Sequence, residues 1–191
     1  MSKDILLPKI DLSNSISFME SIAQRHSQRE FSDRELSLQE LSNLLWVANG
    51  VNRANGNRTA PSAMNMQEIS VYVFLSTGVY LYEVLSHKLK HITCHDYRFL
   101  LNGMQDYADK GALGLLYVGQ YSKLLRFGEE KAKELIAIDA GIVSQNVNLY
   151  CANANLANVP RISMDTKSLS ELLQLPSDYL PILNNIIGYE K

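Results

Sequence analysis

Residues 129–156 carry the longest unbroken helical pattern in the chain, and no other stretch limits the possible folds as much. Leu135, Ile136, Ile138, Ile142, Val143, Val147, Leu149 and Tyr150 spread over nearly the whole circumference of such a helix. A helix that is apolar all round is enclosed by protein or by lipid. Asp139, Gln145, Asn146 and Asn148 interrupt the run too often for a membrane span. The small residues Ala137, Ala140, Gly141, Ala152 and Ala154 would let other helices approach closely. The expectation is a central helix about 40 Å long at ~1.5 Å per residue, buried in the domain and against a second copy of the chain.

The other elements arrange themselves around it. Residues 1–14 read as an extended N-terminal arm containing Pro8. A first helix has Ile16, Met19, Ile22, Ala23 and His26 at helical spacing, behind the polar cap Ser13-Asn14-Ser15. A second is marked by the capping box Ser37…Glu40 and the staple Leu36…Leu41. Its apolar face is Leu38, Leu41, Leu44, Leu45 and Ala48, with Trp46 a core residue nearby, and Asn49-Gly50 stops it. Residues 50–60, rich in Asn, Gly and Arg, form a loop long enough to suggest function. Ile69, Val71, Val73 and Leu75 alternate with Ser70, Tyr72, Phe74 and Ser76 as in a strand; 79–84 and 88–93 complete a meander. A short helix over 96–104 and a buried strand over 113–118 follow. After the long helix come Asn158-Val159-Pro160 as its stop and an extended link over 161–164. Asp165 or Ser168 then caps a helix that Pro176 closes, and 182–187 is a last strand. Strands and helices mix without βαβ regularity, so the class is α+β, in a single domain over 1–191.

Composition removes several functions. With 18 basic and 20 acidic residues the formal charge is -2, and the basic residues are scattered. No field draws the chain to nucleic acid or to an anionic membrane. Cys94 and Cys151 match neither a zinc pattern nor a disulfide scaffold, and no apolar run follows Met1, so a cytoplasmic chain is expected. His87, His91 and His95 would share a face on a helix as zinc ligands do. Their neighbours alternate as in a strand, where successive histidines lie about 13 Å apart, so solvent-facing strand histidines are expected and no metal.

Two stretches carry chemistry. In Arg25-His26-Ser27-Gln28-Arg29-Glu30-Phe31, guanidiniums four residues apart stand beside an imidazole and a hydroxyl at the end of the first helix. Paired arginines and a hydroxyl suit a phosphate, and a solvated basic helix end is the plainer alternative. The second stretch is Pro61-Ser62-Ala63-Met64-Asn65-Met66-Gln67, immediately before a strand. Alone, it is a turn with Asn65 as a backbone cap.

Together, and in this order of elements, the two stretches resemble the nitroreductase-like family of FMN flavoproteins. That family pairs an Arg-(Arg/His)-Ser-x-(Arg/Lys)-x-Phe signature with Pro-Ser-(Ala/Ser)-x-Asn-x-Gln about forty residues later. The resemblance implies an antiparallel-rich mixed sheet flanked by helices, with the long helix central. It implies FMN held by Arg25, His26 and Ser27 at the phosphate and ribityl chain, and by Arg29 at the ring's N1–O2 edge, where a fixed cation stabilises the reduced form. Pro61, Ser62, Asn65 and Gln67 would reach the ring from the other subunit of a homodimer. No side chain need act as acid or base; the backbone of Ile162 and Ser163 would face flavin N5. Asn155-Leu156-Ala157 stands where the family has Gly-Leu-Gly, and Arg161 matches a basic residue of a compact branch, facing phosphate or the surface. NADH or NADPH would donate electrons, in ping-pong fashion, to a nitroaromatic, quinone or similar small acceptor. Two alternatives stay open: a dehydrogenase of a peptide-borne heterocycle, and a non-catalytic FMN-binding dimer.

Overall fold

The structure, a computed structural model, describes residues 3–11, 13 and 16–191. Seven strands form one sheet: β1 (Ile5–Leu6), β2 (Ile69–Leu75), β3 (Gly78–Glu83), β4 (Lys88–Thr93), β5 (Leu113–Gln120), β6 (Ala157–Arg161) and β7 (Tyr179–Gly188), in the order β1-β4-β3-β2-β5-β7-β6. Every pairing in it is antiparallel, so the antiparallel-rich mixed sheet expected has no parallel pair among the described residues. The helices are α1 (Phe18–Gln24), α2 (Leu38–Asn49), α3 (Glu129–Asn153) and α4 (Thr166–Leu172).

Period-two alternation sorts the sheet's side chains into two cores. Ile69, Val71 and Val73 of β2 and Leu113, Leu115 and Tyr117 of β5 pack with Leu41, Leu44 and Leu45 of α2 and Ile136, Val143 and Val147 of α3. On the opposite face Tyr72, Phe74, Leu116 and Val118 meet Leu101, Val159, Leu169 and Ile186. The sheet is therefore covered on both sides.

Several boundaries move from their expected places. Ser17 caps α1, its hydroxyl accepting from Glu20 N while Glu20 returns to Ser17 N; of the expected cap, Asn14 and Ser15 lie outside the described residues. His26 falls beyond the helix end. The expected link over 161–164 begins inside an edge strand, because β6 pairs along β7 from Ala157 to Arg161. The short helix over 96–104 is a 3-10 turn, Arg98–Leu101. Leu38 remains exposed, while the rest of the α2 face is buried.

The arm is tied down along α2: Ser42 donates to Pro8 O, Gln39 to Lys9 O, and Asp11 N donates to Asn43 Oδ1. His87 helps to hold it. It lies in the β3–β4 turn, half-buried, with Nε2 2.7 Å from Ser42 Oγ and Nδ1 2.8 Å from Tyr82 Oη. Ser42 gives its proton to Pro8, so Nε2 carries the imidazole hydrogen and Tyr82 donates to Nδ1. Burial lowers the His87 pKa. The expectation of solvent-facing strand histidines therefore does not hold for His87; His91 on β4 packs edge-on against Tyr80, and His95 is exposed. No group of three or more His, Cys, Asp or Glu side chains is disposed to hold a metal ion among the described residues.

Helix α3 is 25 residues long, about 38 Å. In the single chain it buries one stripe, Ala132, Ile136, Ala140, Val143, Val147 and Cys151, and leaves Ala137, Ile138 and Gly141 exposed. Phe18, Met19 and Ile22 of α1, which packs on α3, are exposed too. Among the described residues, no helix is long and apolar enough to cross a membrane.

Asn185 joins the layers. On β7 and fully buried, it accepts from Tyr117 Oη (2.7 Å) and Ser144 Oγ (2.8 Å) and donates to Asn148 Oδ1 (3.0 Å) and Asn158 Oδ1 (2.8 Å). Both donors and both acceptor sites of the amide are filled. Asn185→Ala strands these buried partners and is expected to cost on the order of 3 kcal/mol. Denaturant unfolding at one fixed protein concentration measures it; a loss below about 1 kcal/mol would show that the network contributes little.

Candidate cofactor site

The first signature forms an irregular strap between α1 and the β6–β7 edge. Gln28 N donates to Asn158 O at 2.9 Å, and Phe31 bridges to Glu190, so the strap is held to the sheet by its backbone. Its even-numbered side chains Gln24, His26 and Gln28 line a cavity of about 410 Å³ against Asn148, Ala152 and Asn155. Arg25, Ser27 and Arg29 are absent from that wall. His26 thus faces away from the residues it was expected to assist, its Nδ1–H donating to Gln24 O at 2.7 Å.

What the odd-numbered residues do within the chain bears directly on a ligand. Arg25 and Ser27 are half-buried, and neither side chain has a hydrogen bond or ion pair among the described residues. Arg29 is exposed, its guanidinium 5.9 Å from the Tyr107 ring centre, with no ion pair to Glu30 or Asp33 among the described residues. Neither Arg25 nor Ser27 has a buried unsatisfied polar atom, so water reaches these donors in the single chain and they are free to be taken up by a ligand. That fits a phosphate-bearing cofactor.

Arg161 is the contrast. Only 6 % exposed, it donates from Nε to Gln105 Oε1 (2.8 Å), from Nη1 to Leu101 O (2.5 Å) and Asn184 Oδ1 (3.4 Å), and from Nη2 to Asn102 O. A surface charge it is not. The guanidinium organises the turn over 101–105, a different duty from the phosphate contact that the resemblance implies. That turn presses on the segment expected near N5: a Cβ on Gly103, whose φ is +50°, would come within 2.6 Å of Ser163 Cβ. Ser163 O is fixed by Asn184 Nδ2 at 3.1 Å, and Ile162 is exposed beside it. An open cavity of about 550 Å³ lies here, lined by Phe99, Asn102, Met104, Ser163 and Met164. Asn155, in place of the first family glycine, has φ +59°, the left-handed conformation that Asn tolerates better than other side chains.

The second signature is elsewhere. The loop after α2 closes on itself through Thr59 N to Gly50 O (2.8 Å) and Trp46 Nε1 to Val51 O (2.9 Å), leaving Trp46 half-buried. Ser62 Oγ then accepts from Gln67 N, and Asn65 Nδ2 donates to Asn57 Oδ1. Met64, Asn65 and Gln67 all have positive φ, a conformation costing about 1 kcal/mol or more at the non-Asn positions. The loop is fastened to α3 by Ala63 N–H, which donates to Asp139 Oδ2 at 2.7 Å. The strap's cavity meets α3 at Asn148 and Ala152, nine and thirteen residues further on, about 13–20 Å along the axis. Neither the strap's cavity nor the one beside Met104 is lined by both Arg25 and Asn65.

Glu68 was missed from sequence. It is 1 % exposed, and neither carboxyl oxygen has a hydrogen-bond partner within donor geometry. Burial, and then the neighbouring Asp139 carboxyl, push its pKa up to about 7. Asp139 could have been found, since it falls on the buried stripe of α3; Glu68 follows a residue of positive φ, which breaks any strand alternation.

The chain belongs to the Nitroreductase family, whose model matches residues 22–189. A candidate nitroreductase of Methanocaldococcus jannaschii is 25 % identical over 181 residues, covering 90 % of each chain. The crystal structure of a candidate nitroreductase from Ralstonia eutropha JMP134 superposes with a TM-score of 0.93 at 35 % identity, over all of this chain and 90 % of that one. The NADPH:FMN oxidoreductase from Vibrio harveyi, complexed with NAD+, shares the fold at a TM-score of 0.67 and 18 % identity, over 91 % of this chain and 69 % of that one. The protein is accordingly a flavin-dependent kind of oxidoreductase.

The two arginines predict different phenotypes. Arg161→Ala leaves buried carbonyls of the 101–105 turn without donors and is expected to cost on the order of 3 kcal/mol in denaturant unfolding. Unchanged stability with weakened cofactor binding would instead give Arg161 a ligand role.

Proposed function

We propose that the protein is a homodimeric, FMN-dependent oxidoreductase that takes electrons from NADH or NADPH and passes them to a small electron acceptor such as a nitroaromatic or a quinone. The observation that carries this reading is the pair of half-buried, unpartnered donors Arg25 and Ser27, in the family's signature position on the family's fold. FMN, when bound, supplies two-electron hydride chemistry at its ring.

The chain's own residues would do the rest. Arg25 and Ser27 bind the phosphate and ribityl chain with charge-assisted hydrogen bonds. Arg29 places a fixed positive charge at the ring's pyrimidine edge. Backbone N–H groups at Ile162 and Ser163 orient the ring, and the cavity beside Met104 and Phe99 admits donor and acceptor in turn. Pro61, Ser62, Asn65 and Gln67 complete the site from a second copy. Support for two copies comes from the distance along α3 between loop and strap, and from the apolar residues left open on α1 and α3. Phe18 and Met19 are 66 % and 70 % exposed in the single chain. Both cysteines are free, Cys94 exposed and Cys151 buried, in keeping with a cytoplasmic protein.

Freshly purified protein should absorb between about 350 and 500 nm and oxidise NADH or NADPH when a nitroaromatic or quinone is present. Arg25→Ala should weaken FMN binding roughly tenfold to hundredfold, the worth of one charged hydrogen bond. An FMN-loaded protein that nicotinamides fail to bleach under anaerobic conditions would overturn the electron-donor assignment.

A further inference from the structure

The buried acid at the foot of the Pro61–Gln67 loop has no part in the reading above. Glu68 is enclosed at the start of β2, Asp139 is 4 % exposed on the facing stripe of α3, and two ionised carboxylates cannot share so dry a place. Asp139 already accepts Ala63 N–H through Oδ2. A proton on Glu68, donated to Asp139, gives one of the two orphaned Glu68 oxygens a partner and removes one of the two charges.

We propose that Glu68 and Asp139 share one proton and so form the anchor that holds the strained 62–67 loop in position for the cofactor. This rests on the reading that the loop contacts FMN. Asp139, tied to Ala63 N–H on one side and to the Glu68 hydroxyl on the other, fixes the loop where Met64, Asn65 and Gln67 hold positive φ. Other charges face the pair. Arg58, from the loop after α2, interacts with Glu68 while donating to Ile69 O at 3.2 Å, and lies near Tyr82 of β3. Lys123, from the turn after β5, lies within 3.4 Å of Met66 O and Gln67 O and also attracts the Glu68 carboxylate. Both cations favour ionisation, yet burial and Asp139 outweigh them, and the net displacement is upward.

The sign of the pH dependence follows. An acid whose folded-state pKa lies above its ordinary value stabilises the fold fully below that ordinary value, 4.5 here, and the contribution is lost as pH rises toward about 7. Above neutrality Glu68 ionises against Asp139 and the loop's anchor weakens.

Hydrogen exchange in FMN-free protein reads the anchor directly. The protection factor of the Ala63 amide should fall roughly threefold or more between about pH 6 and about pH 8.5 in wild type, but not in Glu68→Gln, which keeps a donor toward Asp139 and cannot ionise. The FMN dissociation constant should rise over the same interval in wild type alone. Asp139→Asn, which keeps an acceptor for Ala63 N–H and offers the Glu68 carboxylate an amide donor in place of the opposing charge, should flatten the pH profile. Identical pH profiles of Ala63 protection in wild type and Glu68→Gln would overturn the acid pair, whether or not FMN binds. If Glu68→Gln does not fold, a wild-type profile in Asp139→Asn overturns it equally. The expected protection changes in a protein that binds no FMN at any pH would uphold the pair as the loop's anchor and remove the cofactor reading instead.

Discussion

Four hydrogen bonds to one buried amide hold together the parts of the chain on which the site is built. Asn185 reaches β5 through Tyr117, α3 through Ser144 and Asn148, and β6 through Asn158. Asn158 in turn presents its carbonyl to Gln28 N, so the strap that carries Arg25 is hung from the same network. Apolar packing alone would leave a helix free to slide along a sheet, since dispersion and burial are indifferent to small shifts. A fully satisfied amide cluster is not indifferent: a displacement large enough to lengthen one bond strands a buried polar group. The position of the strap relative to α3 is thereby fixed by hydrogen bonds and not only by shape.

The same accounting distinguishes the arginines. Arg161 is buried, and its Nε and both terminal nitrogens are spent on the chain itself. Arg25 is half-buried, and its donors are spent on nothing among the described residues. Arg161 makes possible the close approach of Gly103 to Ser163, which only a residue without a Cβ can complete.

Much of this was legible in the sequence because it is local. The capping box at Ser37 and Glu40, the alternation of β2 and the length of β4 follow from nearest-neighbour chemistry, and all stand where expected. What was not legible depends on tertiary partners. Residues 157–161 look like a helix stop because Pro160 is there, and they become a strand because β7 lies alongside. His87 looks like one of three equivalent histidines until Ser42 and Tyr82 close on it from other elements. Arg161 offered no sign of which carbonyls it would find. Glu68 is the extreme case: a glutamate beside a polar loop reads as a surface acid, and only the fold puts it against Asp139.

The layout of the two signatures along α3 constrains any assembly. The loop is fastened to the helix near Asp139, and the strap's cavity meets it near Asn148 and Ala152. Within one chain these attachments are about 13–20 Å apart, and no turn of a rigid helix can bring them together. In the proposed homodimer, a second copy running antiparallel along the same helix would reverse the order and set the loop of one chain opposite the strap of the other, twice, by a single twofold axis. Such packing needs a helix face of small and apolar residues that is still open in the isolated chain. Ala137, Ile138 and Gly141 supply it, and apart from the chain neighbours and backbone of its own helix no atom of the described residues lies within 4 Å of where a Gly141 Cβ would stand. The apolar circumference that makes α3 look over-hydrophobic for one domain is what the proposed site, divided between two chains, would require.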